Sequence, residues 1–156
     1  MSKKHFYELT VQWTGNQGKG TAGYRAYTRD HVIIAAGKQD ILASADPTYR
    51  GDETRYNPEE LLLASLSSCH MLWFLHLCAD KGISVTTYVD HPEGTMIETS
   101  NGSGKFTEVI LKPIATVTDI KWMDKLDELH RRANEFCFIA NSVNFQVKHH
   151  PQYLIG

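Results

Sequence analysis

The chain has 156 residues, room for a single domain over 1–156, and a domain of this size buries about 68–70% of the surface its unfolded chain exposes, so it folds without a disulfide scaffold or structural metal. Its three cysteines are too few, and odd in number, for such a scaffold. The 42% hydrophobic and 22% charged fractions exclude a disordered, collagenous or coiled-coil chain, and a net charge of −2 gives no reason to expect a nucleic-acid partner.

The basic start, Met1 to His5, runs straight into an alternating segment and not into an apolar signal core. The expected compartment is therefore the cytoplasm, where cysteines are more often reactive or metal-binding than structural. From Phe6 to Thr14, Tyr7, Leu9, Val11 and Trp13 alternate with Glu8, Thr10 and Gln12, which predicts a strand with one buried face. Gly15 to Gly20 is a turn, Thr21 to Tyr27 reads as the returning strand of a hairpin, and His31 to Ala36 as a third short strand. Asp40 to Arg55 has no clean period and reads as a long loop, a length usually reserved for function.

Asn57-Pro58-Glu59-Glu60 is a helix start: Asn57 as N-cap, Pro58 at the first helical position and Glu60 closing a capping box. The helix is expected to reach about Asp80, with Gly82 as terminator. It is apolar on nearly every side, from Leu61 through Cys78, and such a helix belongs in a core or a subunit interface. Ser65, Ser67, Ser68, His70 and His76 interrupt it, so a buried helix is expected and no membrane span. One domain has difficulty enclosing it alone, so an obligate homodimer is expected.

Ile83 to His91 is strand-like, and Thr95 to Thr99 and Phe106 to Thr118 flank a hairpin turn at Ser100 to Lys105, with Pro113 marking a bulge or edge. From Lys121 to Phe136 the period changes to 3.6, with Trp122, Leu126, Leu129, Ala133 and Phe136 on one stripe. Val143 to Lys148 closes the chain as a strand. The fold class is α+β, with strands surrounding two unequal helices.

Cys69 lies midway along the apolar helix, where Ser67, Ser68 and His70 cut a polar patch and Trp73, four residues on, shares its face. The bulk of His70, Trp73 and Phe74 around the thiol suggests the walls of a substrate pocket. Cys78 is nine residues from Cys69, about 180° around the helix and roughly 13 Å along it, so the two cannot bridge and Cys78 reads as core packing. Cys137 lies just past the second helix. Eight histidines raise the question of a metal, but no His-x-x-x-His or Cys-x-x-Cys spacing accompanies the cysteines, and His149-His150 reads as a wet pair near the chain end. No metal or cofactor is expected.

Two stretches carry a family resemblance: Asn57-Pro58-Glu59-Glu60-Leu61-Leu62-Leu63-Ala64-Ser65-Leu66-Ser67-Ser68-Cys69-His70, and Leu129 to Val143 around Cys137. Together they resemble the two signatures of the osmotically induced (OsmC) and organic hydroperoxide resistance (Ohr) protein family. The resemblance implies antiparallel sheets packed around a long buried central helix and a second C-terminal helix, in an intertwined homodimer with its sites at the interface. It implies a thiol-dependent peroxidase that reduces organic hydroperoxides to alcohols. Cys69 takes the peroxidatic and Cys137 the resolving role, while Glu59 pairs with an upstream arginine. By the spacing of the osmotically induced branch that arginine is Arg50, with Arg25, Arg29 and Arg55 as alternatives. The expected reductant is a dithiol: a lipoyl protein, a thioredoxin or a small thiol.

This chemistry suits the residue types. A thiol of ordinary pKa, about 8.5, is mostly protonated at neutral pH, so an adjacent guanidinium is needed to favour the thiolate. The same group can stabilise the departing alkoxide, and a carboxylate such as Glu59 can aim it through a bidentate pair. Glu59 and Cys69 stand about 15 Å apart along a continuous helix, so an extended arginine, a break near Pro58 or the other subunit must close the gap. The rival reading is a non-enzymatic dimer that binds a small apolar ligand or senses redox state.

Overall fold

The computed structural model describes residues 3–156. Its first strand is β1 (Thr10–Trp13), which pairs antiparallel with β2 (His31–Ile34), and β2 pairs with β3 (Ile41–Ala43). The register sets Trp13 opposite His31 and Thr10 opposite Ile34. The partner of β1 is therefore β2 and not the expected return over Thr21 to Tyr27. The local reason lies in the intervening turns. Asn16 Oδ1 accepts from the amides of Gly18 and Gly20, and the Ala22 and Ala26 amides donate to the Lys19 and Gly23 carbonyls. These turns use up the segment, leaving one isolated bridge from Tyr27 to Asn16. All of β1 is exposed, so its alternating apolar face is not buried as the pattern predicts. The expected long loop after Asp40 contains β3 and a 3-10 turn at Pro47–Tyr49 capped by Asp46. These elements belong to a first unit that ends at Leu61; a second runs from Leu62 to Gly156.

Helix α1 (Pro58–Asp80) begins as the sequence dictates. The Glu60 amide donates to Asn57 Oδ1 at 2.8 Å, and the Asn57 amide donates to Glu60 Oε2 at 3.1 Å, so two otherwise orphaned donors are satisfied reciprocally. At its end the Ile83 amide reaches back to the Cys78 carbonyl and the Gly82 amide to that of Ala79, with Gly82 at φ +68°. That is a Schellman closure, and the left-handed position explains the glycine.

In the second unit, β4 (Val85–Asp90), β7 (Pro113–Val117) and β9 (Gln152–Ile155) form one sheet in the order β4-β7-β9. The other contains β5 (Glu93–Glu98), β6 (Gly104–Leu111) and β8 (Gln146–His149) in the order β5-β6-β8. The pair β4/β7 and the hairpin β5/β6 are antiparallel, but β6/β8 and β7/β9 are parallel, so both sheets are mixed and not wholly antiparallel. Pro113 opens β7 opposite Asp90, a place where its missing N–H costs no ladder bond; the preceding Lys112 amide donates to Asp90 Oδ1 instead. The terminal strand β9 has no counterpart in the sequence reading.

Helix α2 (Met123–Phe136) buries Leu126, Leu129, His130 and Ala133. Trp122 belongs to a 3-10 turn at Ile120–Trp122 ahead of it, capped by Asp119. Along α1 the buried residues are Leu66, His70, Phe74, Leu77 and Cys78, one stripe at spacings of three and four. Leu66 joins a core with Val109 and Leu111, while Phe74, Leu77 and Cys78 join another with Val117, Leu126, Leu129 and Ala133. The architecture is α+β, as expected.

Candidate active site

Cys69 lies on the side of α1 that the buried stripe leaves free. Helical geometry puts Ser65 one turn before it and Leu72 and Trp73 one turn after it, and these residues line a pocket of about 440 Å³ with Ser68, Phe138 and Ile139. Trp73 is held by the end of α2 and the chain that follows it, stacking on Phe136 at 5.3 Å and meeting Phe138 edge-on at 5.8 Å. Cys69 itself is half-buried.

Cys137 is the C-cap of α2, with extended backbone (φ −65°, ψ 110°) that turns the chain back toward the pocket. Its side chain is 1% exposed. The Cys69 thiol lies close enough to Cys137 to perturb its titration, and the Ala140 amide donates to Cys137 Sγ at 3.3 Å. Burial, reinforced by the neighbouring Cys69 sulfur, pushes the Cys137 thiol up to about 11. The two sulfurs that the resemblance pairs, 68 positions apart, are thus neighbours, both as free thiols. Cys78 sits in the core, where burial alone pushes it up to about 12, as a packing residue should be.

Of the three side chains expected around the thiol, only Trp73 lines the pocket. His70 and Phe74 are 1% and 0% exposed and turn into the core. The reason is helical: each is one residue, or 100°, past a pocket-lining position. His70 Nε2 lies 2.8 Å from His130 Nδ1, and His149 completes the group, its ring centroid 5.5 Å from that of His70. His149 is therefore half-buried among rings and not a wet surface residue, whereas His150 is exposed. Burial holds His70 down to about 4, with His149 adding to the effect, and His130 down to about 2, with His70 and His149 adding to it. The sequence reading passed over His130. Its position among Leu126, Leu129 and Ala133 on the buried stripe of α2 is the signal that points to it.

The first unit holds the charged candidates. Glu59 lines a pocket of about 320 Å³ with Arg29, Trp13, Tyr27 and Asp46. The Arg29 guanidinium lies over the rings of Tyr24 and Tyr27 at 4.3 and 4.4 Å and donates to both their carbonyls. Arg50 does not line this pocket: it is exposed, in left-handed backbone at φ 66°, where it caps the Pro47–Tyr49 turn. Arg55 is engaged by Asp52 at 3.3 Å and Asp30 at 4.0 Å, and Arg25 is exposed. The arginine that shares a pocket with Glu59 is thus Arg29. Among the described residues no cluster of three or more His, Cys, Asp or Glu side chains could hold a metal ion.

Two neighbouring free thiols lie beside an apolar pocket, and the sequence around them matches a known family: the model described as OsmC-like protein covers residues 51–150. The chain belongs to the OsmC-like protein family. An OsmC-like protein of unknown function from Vibrio cholerae O1 biovar eltor str. N16961 is 32% identical, with TM-score 0.85 over 95% of this chain and 99% of that one. Two organic hydroperoxide resistance proteins share the OsmC-like fold at lower identity. That of Elizabethkingia anophelis is 16% identical, with TM-score 0.68 over 99% of this chain and 100% of that one. That of Legionella pneumophila is 18% identical, with TM-score 0.67 over 97% and 100%. Comparison with curated proteins gives no match.

Proposed function

We propose that this OsmC-like chain is a thiol-dependent peroxidase that reduces organic hydroperoxides to alcohols. The observation that carries the reading is the proximity of a half-buried Cys69 thiol on an apolar pocket to the buried Cys137 thiol. In the proposed cycle the Cys69 thiolate attacks the distal peroxide oxygen, the O–O bond breaks, and the alcohol leaves with Cys69 as a sulfenic acid. The Cys137 thiol condenses with it, forming the S–S bond and releasing water. An external dithiol then reduces the disulfide by exchange. The organic hydroperoxide resistance proteins that share the fold support this reading at the level of a peroxide-related redox role.

The cycle fits an apolar substrate, because the walls offered by Leu72, Trp73, Phe138 and Ile139 solvate an alkyl chain better than water-sized hydrogen peroxide. It also needs a cation to keep Cys69 ionised. The candidates are Arg50, which holds the position that the resemblance implies, and Arg29, which shares the pocket of Glu59. We further propose that the working species is a homodimer in the cytoplasm.

The test is peroxide consumption with dithiothreitol as reductant and cumene hydroperoxide as substrate. Cys69→Ser is expected to lower turnover by on the order of a thousandfold or more, as loss of a nucleophile does. Cys137→Ser should still release one alcohol per chain and then accumulate sulfinic acid at Cys69. Wild-type protein that releases no alcohol and forms no Cys69–Cys137 disulfide after one equivalent of peroxide, read by mass spectrometry, overturns the reading in favour of a non-enzymatic ligand-binding or redox-sensing role.

A further inference from the structure

The second unit buries a polar device that its packing does not require. His70 Nε2 and His130 Nδ1 form a 2.8 Å hydrogen bond between two rings inclined by only 13°, and His130 lies face-on against Phe74 at 3.8 Å. His70 Nδ1 and His130 Nε2, the outer nitrogens of the pair, have no hydrogen-bond partner. A buried unpaired polar atom costs about 1–3 kcal/mol, and two apolar side chains of similar volume would fill the space without that cost. What imidazoles supply and leucines do not is direction. A hydrogen bond fixes the rotation and register of the elements that carry it, whereas apolar contact tolerates sliding.

The elements it fixes are those that carry the thiols. His70 directly follows Cys69 on α1, and His130 stands seven residues, two turns, before Cys137 on α2. Among the described residues this is the one side-chain hydrogen bond that joins α1 to α2. We propose that the His70–His130 hydrogen bond is a positioning clamp, which holds the Cys69 and Cys137 sulfurs in register so that disulfide closure outruns a second encounter with peroxide. The inference rests on the peroxidase reading above. Neither imidazole lines the thiol pocket, so both are positioning and not catalytic residues.

Two reactions compete for the Cys69 sulfenic acid. In closure, Cys137 attacks the sulfur, the S–O bond breaks, and the thiol proton leaves with the oxygen as water. In over-oxidation, a second hydroperoxide gives up an oxygen to the sulfur, leaving a sulfinic acid and an alcohol. The first depends on the placement of Cys137; the second does not. A small misplacement of reacting groups can cost on the order of a hundredfold in rate, so losing the clamp changes the partition between products and leaves the first attack intact.

The experiment compares wild type, His130→Leu and His130→Asn at increasing cumene hydroperoxide, with Cys69 sulfinic acid and the Cys69–Cys137 disulfide quantified by mass spectrometry and the first alcohol released quantified separately. The asparagine amide restores a hydrogen-bonding group near the place of His130 Nδ1. The expected result is an unchanged first attack in all three, sulfinic acid per turnover raised about tenfold to a hundredfold in His130→Leu, and most of that increase recovered in His130→Asn. The double variant His70→Leu/His130→Leu orphans no nitrogen and serves where His130→Leu does not fold. Closure at the wild-type rate in either folded leucine variant overturns the clamp. Wild-type protein that releases alcohol but forms no disulfide overturns the clamp together with the resolving role of Cys137, and one that releases no alcohol overturns the peroxidase reading itself.

Discussion

Helices α1 and α2 solve the same problem in opposite ways. Helix α2 is amphipathic: Leu126, Leu129, His130 and Ala133 face the core, while Asp127, Glu128 and Arg131 face water, with Arg131 bonded to Glu128 by two short hydrogen bonds. Most of its apolar stripe is buried within one chain, Phe136 at its end being the exception. Helix α1 has apolar residues all round but buries only one stripe, leaving Leu72 62% exposed beside the half-buried Trp73. A helix whose composition asks for more cover than its own chain provides is suited to a second copy. The difference also separates their chemistry, because the uncovered side of α1 is where Cys69 sits.

Substitution at matched leucines gives the largest expected contrast. Leu126→Ala empties a fully buried site in α2 and is expected to destabilise the fold by about 2–5 kcal/mol. Leu72→Ala at the exposed position of α1 should cost less than about 0.5 kcal/mol of single-chain stability, while Leu72→Glu should shift the proposed dimer toward the 17.7 kDa monomer. Urea denaturation and light scattering check the two halves. Similar stability losses at both leucines, or a wild-type protein that is monomeric at micromolar concentration, would break the comparison.

Acid acts where the two helices meet. Burial depresses His70 to about 4 and His130 to about 2. Packed around them are the rings of His149 from β8, itself depressed by burial, of Tyr88 from β4 and of Tyr153 from β9, whose hydroxyl donates to Asp127. In the unfolded chain these imidazoles protonate near pH 6.5. The unfolded state therefore binds more protons than the folded one below that pH, and stability falls on acidification. It is undiminished above pH 6.5 and is lost from there down toward about 4, the His70 value. For His70 and His130 together the loss between pH 6.5 and 5.5 is about 2 kcal/mol. Melting temperatures across that range check it, and a flat profile in wild type would mean that the pair is protonated or hydrated in the fold.

Legibility in the sequence followed the range of the interactions. The start and end of α1 were written within a few residues, in Asn57, Glu60 and Gly82, and the structure reproduces them at atomic detail. The adjacency of Cys69 and Cys137 came from the family resemblance, since no local pattern joins residues 68 positions apart. The orientation of α1 was not readable, because apolar residues on every side give no sign of which stripe is buried. For that reason the sequence pattern places His70 and Phe74 at the pocket, whereas they lie in the core. The pairing of β1 with β2 was missed because the choice between two candidate partners rests on turns made by Asn16, Lys19 and Gly23 and not on strand pattern.

The smallest expected effect tests the part of α1 that needs no partner at all. Asn57 is 6% exposed, and its side chain and amide both take part in the capping box. Asn57→Ala removes the acceptor for the Glu60 amide and should cost about 1 kcal/mol. Asn57→Asp keeps an acceptor at the same place and adds a negative charge at the positive end of the helix dipole, which is favourable by about 0.3–1 kcal/mol at an exposed site, though here the added charge lies beside Glu59 and Glu60 and is partly buried. The aspartate variant is therefore expected to fall between wild type and alanine. Urea midpoints order the three, and because the cap is closed within one chain, the alanine cost should be independent of protein concentration after the contribution of the proposed dimer is subtracted. A cost that grows with concentration would tie the start of α1 to the same partner surface as Leu72.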